Sequence, residues 1–357
     1  MNLKIGLIAR ADNTGLGNQT WEFYRHLKPH KTLVVDMTHL KHNSHYPDTR
    51  YPGAMVVKAL PDPPATLPPE CLAPFLEDLD VVFTAEVPYS PLLYYRAARR
   101  GVATVCQPNF EFLDQSGPEP SLYVPPTSWH FDDIACPRKI LLPVPIATDR
   151  WPDAERRTDR ATVARNILHV VGRPAIFDRS GTPELLQALT RVTSEVKVTL
   201  CCQRTGYLNQ LLNCYAFPKN VTVDTYAMDK KNYWELYPGH DLMVLPRRFG
   251  GLCLPMQEAL GAGMPVIMPD ISPNADILPR EWLVPAREVK RLGIDQNIVA
   301  YRTDPLALAQ LIDRFATEES FYTGSVSQSL QIAEQRSWSA MLPRYEEVFE
   351  SMFEEAQ

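Results

Sequence analysis

Apolar residues fall in short runs of strand length, separated by stretches with helical spacing. LKIGLIA (3–9) is followed by ADNTGLGN and then by QTWEFYRHL, the order strand, glycine-containing loop, helix. LVVD (33–36), VVFTA (81–85) and VATVCQ (102–107) are further strand-like runs. Between the last two, SPLLYYRAARRG predicts a helix with Leu92, Leu93, Tyr95 and Ala98 available for an apolar face and a stop at Gly101. The pattern restarts near residue 150. NILHVV (166–171) precedes GRPAIFDRSGTPELLQALTRV, in which a helix starts at Thr182 or Pro183, and VKVTLCC (196–202), VTV (221–223), DLMVL (241–245) and PVIMP (265–269) continue the alternation. Such alternation predicts an α/β chain with parallel sheets covered by helices on both faces. The ending SWSAMLPRYEEVFESMFEEA has Tyr345, Val348, Phe349, Met352 and Phe353 at helical spacing, an amphipathic helix that must pack on something. The expected organisation is a Rossmann-like domain over 1–155, a second over 156–336, and a C-terminal helix over 337–357 that returns to the first domain.

A length of 357 residues agrees with two domains. With 45% hydrophobic and 22% charged residues the composition is that of a globular protein, which excludes disordered and fibrous classes. Proline is in excess: 18 of the 33 fall between residues 47 and 145, where they mark loops, because proline lacks a ladder donor. A formal charge of −6 argues against general nucleic-acid binding. That charge is uneven, since 337–357 holds five glutamates and one arginine. No apolar run reaches the roughly 18 residues of a membrane span, and Arg10 and Asp12 interrupt the start before a signal peptide could form, so the expected location is the cytoplasm. Seven cysteines without a C-x-x-C pair read as reduced thiols. The five histidines between 26 and 45 lack regular ligand spacing and no Asp-x-Asp-like motif stands beside a phosphate loop, so no metal is expected.

Ligands of open α/β sheets bind beyond the carboxyl ends of the strands, and two such domains are expected to bind theirs between them. Three segments carry candidate chemistry. Gly15 and Gly17 open the first helix, either as a phosphate-approaching loop or as a plain tight turn. Arg173 and Arg179 flank the start of another helix, where two guanidinium groups suit a diphosphate or, alternatively, surface ion pairs. In LPRRFGGLCLPMQEALGAGMPVI the glycines 250 and 251 expose backbone N–H groups, and Glu258 either accepts from paired ribose hydroxyls or is a solvated helix glutamate. Glu86, just after VVFTA, is the acid of the first domain best placed for an acceptor or, equally, a structural acid at a loop end.

The stretch LPMQEALGAGMPVIMPD resembles the second half of the signature of glycosyltransferase family 4, retaining enzymes of the GT-B fold that use nucleotide-diphosphate sugars. The resemblance places Glu258 on the glutamate that holds the nucleotide ribose. GRPAIFDRSGTPELLQAL is similar to the diphosphate loop of that family, so Arg173 matches its arginine and Arg179 approximates its lysine, one residue out of register. Gly15, Gly17, Gly250, Gly251, Leu252 and Cys253 fall along the implied donor site. The implied reaction is metal-independent and needs no cofactor: Arg173, Arg179 and helix N-termini stabilise the departing UDP or GDP, with Glu86 as a catalytic candidate. One departure matters. The first glutamate of the family's pair, eight residues before Glu258, is Gly250 here. Either backbone groups of Gly250 to Cys253 recognise the sugar, or the donor differs, or activity is reduced. The alternatives are a non-catalytic nucleotide-sugar- or glycan-binding module and a sugar-nucleotide epimerase. PRRFGGLCLPMQEALGAGMPVIMPDISPN, QPNFEFLD (107–114) and PPTSWHF (125–131) look similar to glycosyltransferases of actinobacterial bacteriophages. That likeness implies a virion protein, an envelope glycan or a hydroxylated DNA base as acceptor.

Overall fold

The computed structural model of the chain describes residues 3–39, 45–61, 66–151, 161–172, 179–227, 230, 232–293 and 297–356. Arg173 lies outside the described residues. Contacts divide the chain into two units, residues 1–145 with 338–357, and residues 146–337.

The first unit is laid down as β1 (Ile5–Ala9), α1 (Gly15–Leu27), β2 (Lys31–Asp36), α2 (Pro47–Arg50), β3 (Met55–Lys58), α3 (Leu72–Leu76), β4 (Val81–Glu86), α4 (Leu93–Ala98), β5 (Ala103–Pro108) and β6 (Leu122–Tyr123). Its six-stranded sheet has the order β3-β2-β1-β4-β5-β6 and every pair is parallel. β1 is buried along its whole length, as a continuous apolar run in the middle of a covered parallel sheet should be. The chain reverses its direction of progress across the sheet between β1 and β4. Their carboxyl ends are therefore the topological switch point of this unit, where open α/β sheets bind ligands.

The second unit contains β7 (Asn166–Gly172), α5 (Thr182–Leu189), β8 (Val196–Cys202), α6 (Thr205–Leu212), β9 (Val221–Tyr226), β10 (Leu242–Val244), α7 (Leu254–Gly261), β11 (Val266–Pro269) and β12 (Leu283–Val284). They form a second parallel six-stranded sheet, β12-β11-β10-β7-β8-β9. An antiparallel hairpin of β13 (Ala286–Gly293) and β14 (Asn297–Thr303) stands outside that sheet. Helices α8 (Pro305–Thr317) and α9 (Glu319–Gln335) follow. Asp304 caps α8, accepting from Leu306 N at 2.8 Å and Ala307 N at 3.2 Å, with proline at the first helical position. Asp241 ties the entry of β7 to that of β10 by accepting from the backbone of Arg165 and Asn166 at 3.1 and 2.9 Å.

The last helix, α10 (Trp338–Ala356), belongs to the first unit and lies against α1, β4 and β5. Its Tyr345 stands 5.4 Å from Phe23 and 6.2 Å from Phe83, ring centre to ring centre, and Phe349 is 5.8 Å from Phe83. The Tyr345 hydroxyl donates to Pro143 O and accepts from Gln107 Nε2, both at 3.0 Å, so the polar tip of this buried ring is satisfied. All seven cysteines are free thiols, and only Cys214 is exposed. Among the described residues no helix is long and apolar enough to cross a membrane.

Candidate functional site

In the first unit, the glycine loop closes on itself. Thr14 caps α1, its hydroxyl accepting from Gly17 N at 3.2 Å. Asp12 Oδ1 accepts from Thr14 N at 3.3 Å and from the Thr14 hydroxyl. Gly17 is buried, and a Cβ there would lie 2.0 Å from Asp12 O; its missing side chain lets the helix start sit directly on the loop. Gly15 is exposed at the first position of α1.

Beside this loop lies a buried charge cluster that the sequence pattern did not single out. Arg10 pairs with Asp12, their side chains 7% and 6% exposed. Arg50 Nη1 donates to Asp12 O at 2.9 Å, and its guanidinium lies over the rings of Trp21 and Tyr46 at 5.0 and 5.3 Å. Burial depresses the Arg50 pKa. Burial acts the same way on Arg10, but Tyr89, Asp12 and Glu86 outweigh it and hold that guanidinium above its ordinary value. Glu86 closes β4 in a left-handed conformation, φ +73°, and Tyr89 three residues on repeats it at +56°. Non-glycine residues adopt this region at a cost of roughly 1–3 kcal/mol. Glu86, Tyr89, Arg10 and Asp12 thus collect at the switch point between β1 and β4. Glu86 was marked in the sequence by its place just after VVFTA, whereas for Arg10 and Asp12 the sequence signal was a charged pair directly after the first apolar run.

In the second unit, the start of α5 is fixed by a buried histidine. His169, fully buried on β7, places Nδ1 2.7 Å from Val244 O and Nε2 3.1 Å from the Thr182 hydroxyl. A carbonyl only accepts, so Nδ1 carries the proton and Nε2 accepts from Thr182. One imidazole therefore joins β7, β10 and the first residue of α5. Arg179, just ahead of that helix, holds its guanidinium 4.9 Å from the centre of the Phe249 ring, and its carbonyl accepts from Arg248 N at 2.8 Å. The segment 179–182 and the segment 245–253 are thereby neighbours.

Arg247 and Arg248 do not add two loose charges to that surface. Arg247 Nε donates to Phe249 O at 3.0 Å and Nη1 to Leu252 O at 2.8 Å, stapling the loop. Arg248 Nε donates to Tyr301 O at 3.2 Å, while Tyr301 N returns a bond to Arg248 O, which ties β14 to the loop. Gly250 has φ +119°, and a Cβ there would meet Arg247 Nη2 at 2.4 Å. Gly251 and Cys253 are buried, Leu252 is half-buried, and Cys253 occupies the N-cap of α7. Glu258 is half-buried in the middle of α7 and accepts from the Tyr237 hydroxyl. Burial, with the Glu258 charge added, pushes the Tyr237 phenol well above its ordinary pKa and keeps it a donor.

Comparison with known proteins adds the relatives. The sequence profile of the family described as "Glycosyl transferases group 1" matches residues 165–318, the stretch that holds Arg179, Gly250 to Cys253 and Glu258. No curated protein sequence gives a significant match. Among solved structures, HepE of Anabaena in complex with UDP-glucose is 13% identical, covering 98% of this chain and 100% of its own, with a TM-score of 0.67. Sucrose-phosphate synthase from Thermosynechococcus elongatus is 15% identical over 98% of each chain, TM-score 0.66. A glycosyltransferase from Rickettsia africae is 12% identical over 99% of each chain, TM-score 0.67. Two parallel six-stranded α/β units in one chain, with these likenesses over nearly all its length, give this protein the GT-B fold.

Proposed function

We propose that this chain is a glycosyltransferase that moves a sugar from a UDP-sugar to an acceptor hydroxyl, with retention at the anomeric carbon, as in family 4. The observation that carries the reading is the family match over 165–318, which contains every donor residue assigned from the sequence in this unit. The crystallised complex of HepE with UDP-glucose supports a uridine nucleotide. In this reading Glu258 binds the ribose, Arg173 and Arg179 stabilise the leaving diphosphate, and the backbone of Gly250 to Cys253 lies along the sugar. Gly15 and Gly17 support the loop at the donor end of the first unit, and Glu86 orients the acceptor. The acceptor proton passes to the departing phosphate, the acceptor oxygen bonds the anomeric carbon, and the bond from that carbon to the diphosphate breaks. No metal is required in this scheme, because guanidinium groups offset the developing charge.

The test is incubation of the purified protein with a panel of UDP- and GDP-sugars and candidate acceptors, a virion protein among them, with and without EDTA. Acceptor-dependent UDP release that survives EDTA, with product of unchanged anomeric configuration by NMR, is the expected result. Absence of transfer from every nucleotide sugar would sink the proposal. A second reading, a module that binds the donor without transferring it, draws on Gly250 standing where the family carries a glutamate. Tight UDP-sugar binding without turnover would select it.

A further inference from the structure

Glu258 projects from the second turn of α7, and a helical glutamate samples several rotamers unless something holds it. A closed chain of contacts does so here. Tyr237, 1% exposed, donates its hydroxyl to Glu258 Oε2. Its ring meets Trp151 edge-on, centroids 5.6 Å apart at 87°. Trp151, 2% exposed, donates Nε1–H to Trp234 O at 3.4 Å. It also presses on Gly261, the last residue of α7: a Cβ there would fall 2.7 Å from Trp151 Cζ3. The path from Gly261 through Trp151 and Tyr237 to Glu258 thus begins and ends on the same helix. It sets where α7 sits in the unit and also the direction of one carboxylate oxygen.

We propose that Tyr237 is a positioning residue for nucleotide binding: by holding Glu258 Oε2 it aims the carboxylate so that it meets the paired hydroxyls of a ribose. The inference rests on the reading of Glu258 as the ribose-binding residue. In this role Tyr237 acts through Glu258. A carboxylate that serves two vicinal hydroxyls must be held within roughly 0.5 Å and 10–20° of its working geometry, which a loose glutamate on a helix surface does not achieve. The aromatic ring supplies stiffness and its buried hydroxyl supplies direction.

The experiment is calorimetric titration of UDP and of 2′,3′-dideoxy-UDP into the wild-type protein and into Tyr237→Phe, which keeps the ring and removes one oxygen. The wild type is expected to bind UDP roughly ten- to a hundredfold more tightly than the dideoxy analogue. In Tyr237→Phe that preference falls to about threefold or less while the affinity for the dideoxy analogue is kept, because the dideoxy nucleotide never used Glu258. An undiminished preference in Tyr237→Phe overturns the inference and leaves the reading of Glu258 intact. A wild type that does not bind UDP, or does not prefer it over the dideoxy form, overturns that reading and the inference with it. Equal loss for both nucleotides marks a merely structural role and also overturns the inference. Calorimetry reports affinity per binding-competent molecule, so partial misfolding alters stoichiometry and not the ratio. Should Tyr237→Phe fail to fold, Trp151→Phe, which keeps the hydroxyl and loosens its seat, is read in the same way: a reduced preference is expected, and an intact one overturns the inference.

Discussion

The Arg247 guanidinium occupies the space that a side chain at Gly250 would need. Its Nη2 would lie 2.4 Å from a Cβ at that position, while Nε and Nη1 are committed to Phe249 O and Leu252 O. Glycine at 250 is therefore coupled to a loop construction in which an arginine staples the turn from inside. Gly250→Glu is expected to destabilise the protein by roughly 1–3 kcal/mol, from the left-handed backbone alone, and not to raise transfer activity. Urea unfolding together with a turnover assay checks both; a stable variant with higher activity would refute the coupling.

Arg179 is held beside Phe249 and ahead of α5, close to the anion-favouring start of that helix. Arg179→Ala is expected to lower kcat/KM by about 10²–10³, the loss of one transition-state donor. Arg179→Lys recovers part of it, because a point charge copies the charge of guanidinium but not its fork. Steady-state kinetics with UDP-sugar in excess decide the matter, and normal turnover in Arg179→Ala would remove the residue from the reaction.

Glu258→Ala removes a charged acceptor and leaves the Tyr237 hydroxyl without its carboxylate. Nucleotide binding is expected to weaken by about 1.5–3 kcal/mol, read by calorimetry with UDP. Unchanged affinity would return Glu258 to the role of a helix-surface residue.

Asp313, on α8, offers a pH-dependent contribution to stability. It accepts from Thr193 N at 3.0 Å and Ser194 N at 2.8 Å. Burial opposes ionisation, but these bonds outweigh it and hold the carboxyl below its ordinary value. A folded-state pKa below the unfolded one gives stability that is present above the unfolded value, near 3.9, and fades as pH falls through the lower folded value. The Tm gap between wild type and Asp313→Asn should thus be constant at neutral pH and shrink below about pH 4. A gap independent of pH would contradict the assignment.

How much of this was legible beforehand differs by element. VKVTLCC is β8 residue for residue, and α5 starts at Thr182, because a buried parallel strand reads as an unbroken apolar run and a helix start carries its own local marks. The hairpin β13–β14 left no such trace. Arg287, Glu288, Lys290 and Arg291 break any apolar alternation on β13, β14 buries Ile298 and Ala300, and the intervening residues lack an Asn-Gly or Asp-Gly turn. Glu258 was picked out by its surroundings in sequence, but Tyr237 was not. Its partner is 21 residues away, and only the packing of its ring on Trp151 aims the hydroxyl at α7.

Because α10 supplies Tyr345 and Phe349 to the core around Phe23 and Phe83, the first unit depends on residues that follow the whole second unit in the chain. The whole second unit is synthesised before that aromatic cluster can close. Domains usually mature in the order of their translation; here the earlier one must wait with Phe23 and Phe83 unsheltered while the later one is finished. Maturation of this chain thus runs from the inserted unit outward, and a nascent chain stalled before Trp338 holds every strand of both sheets but lacks the helix that covers Phe23 and Phe83.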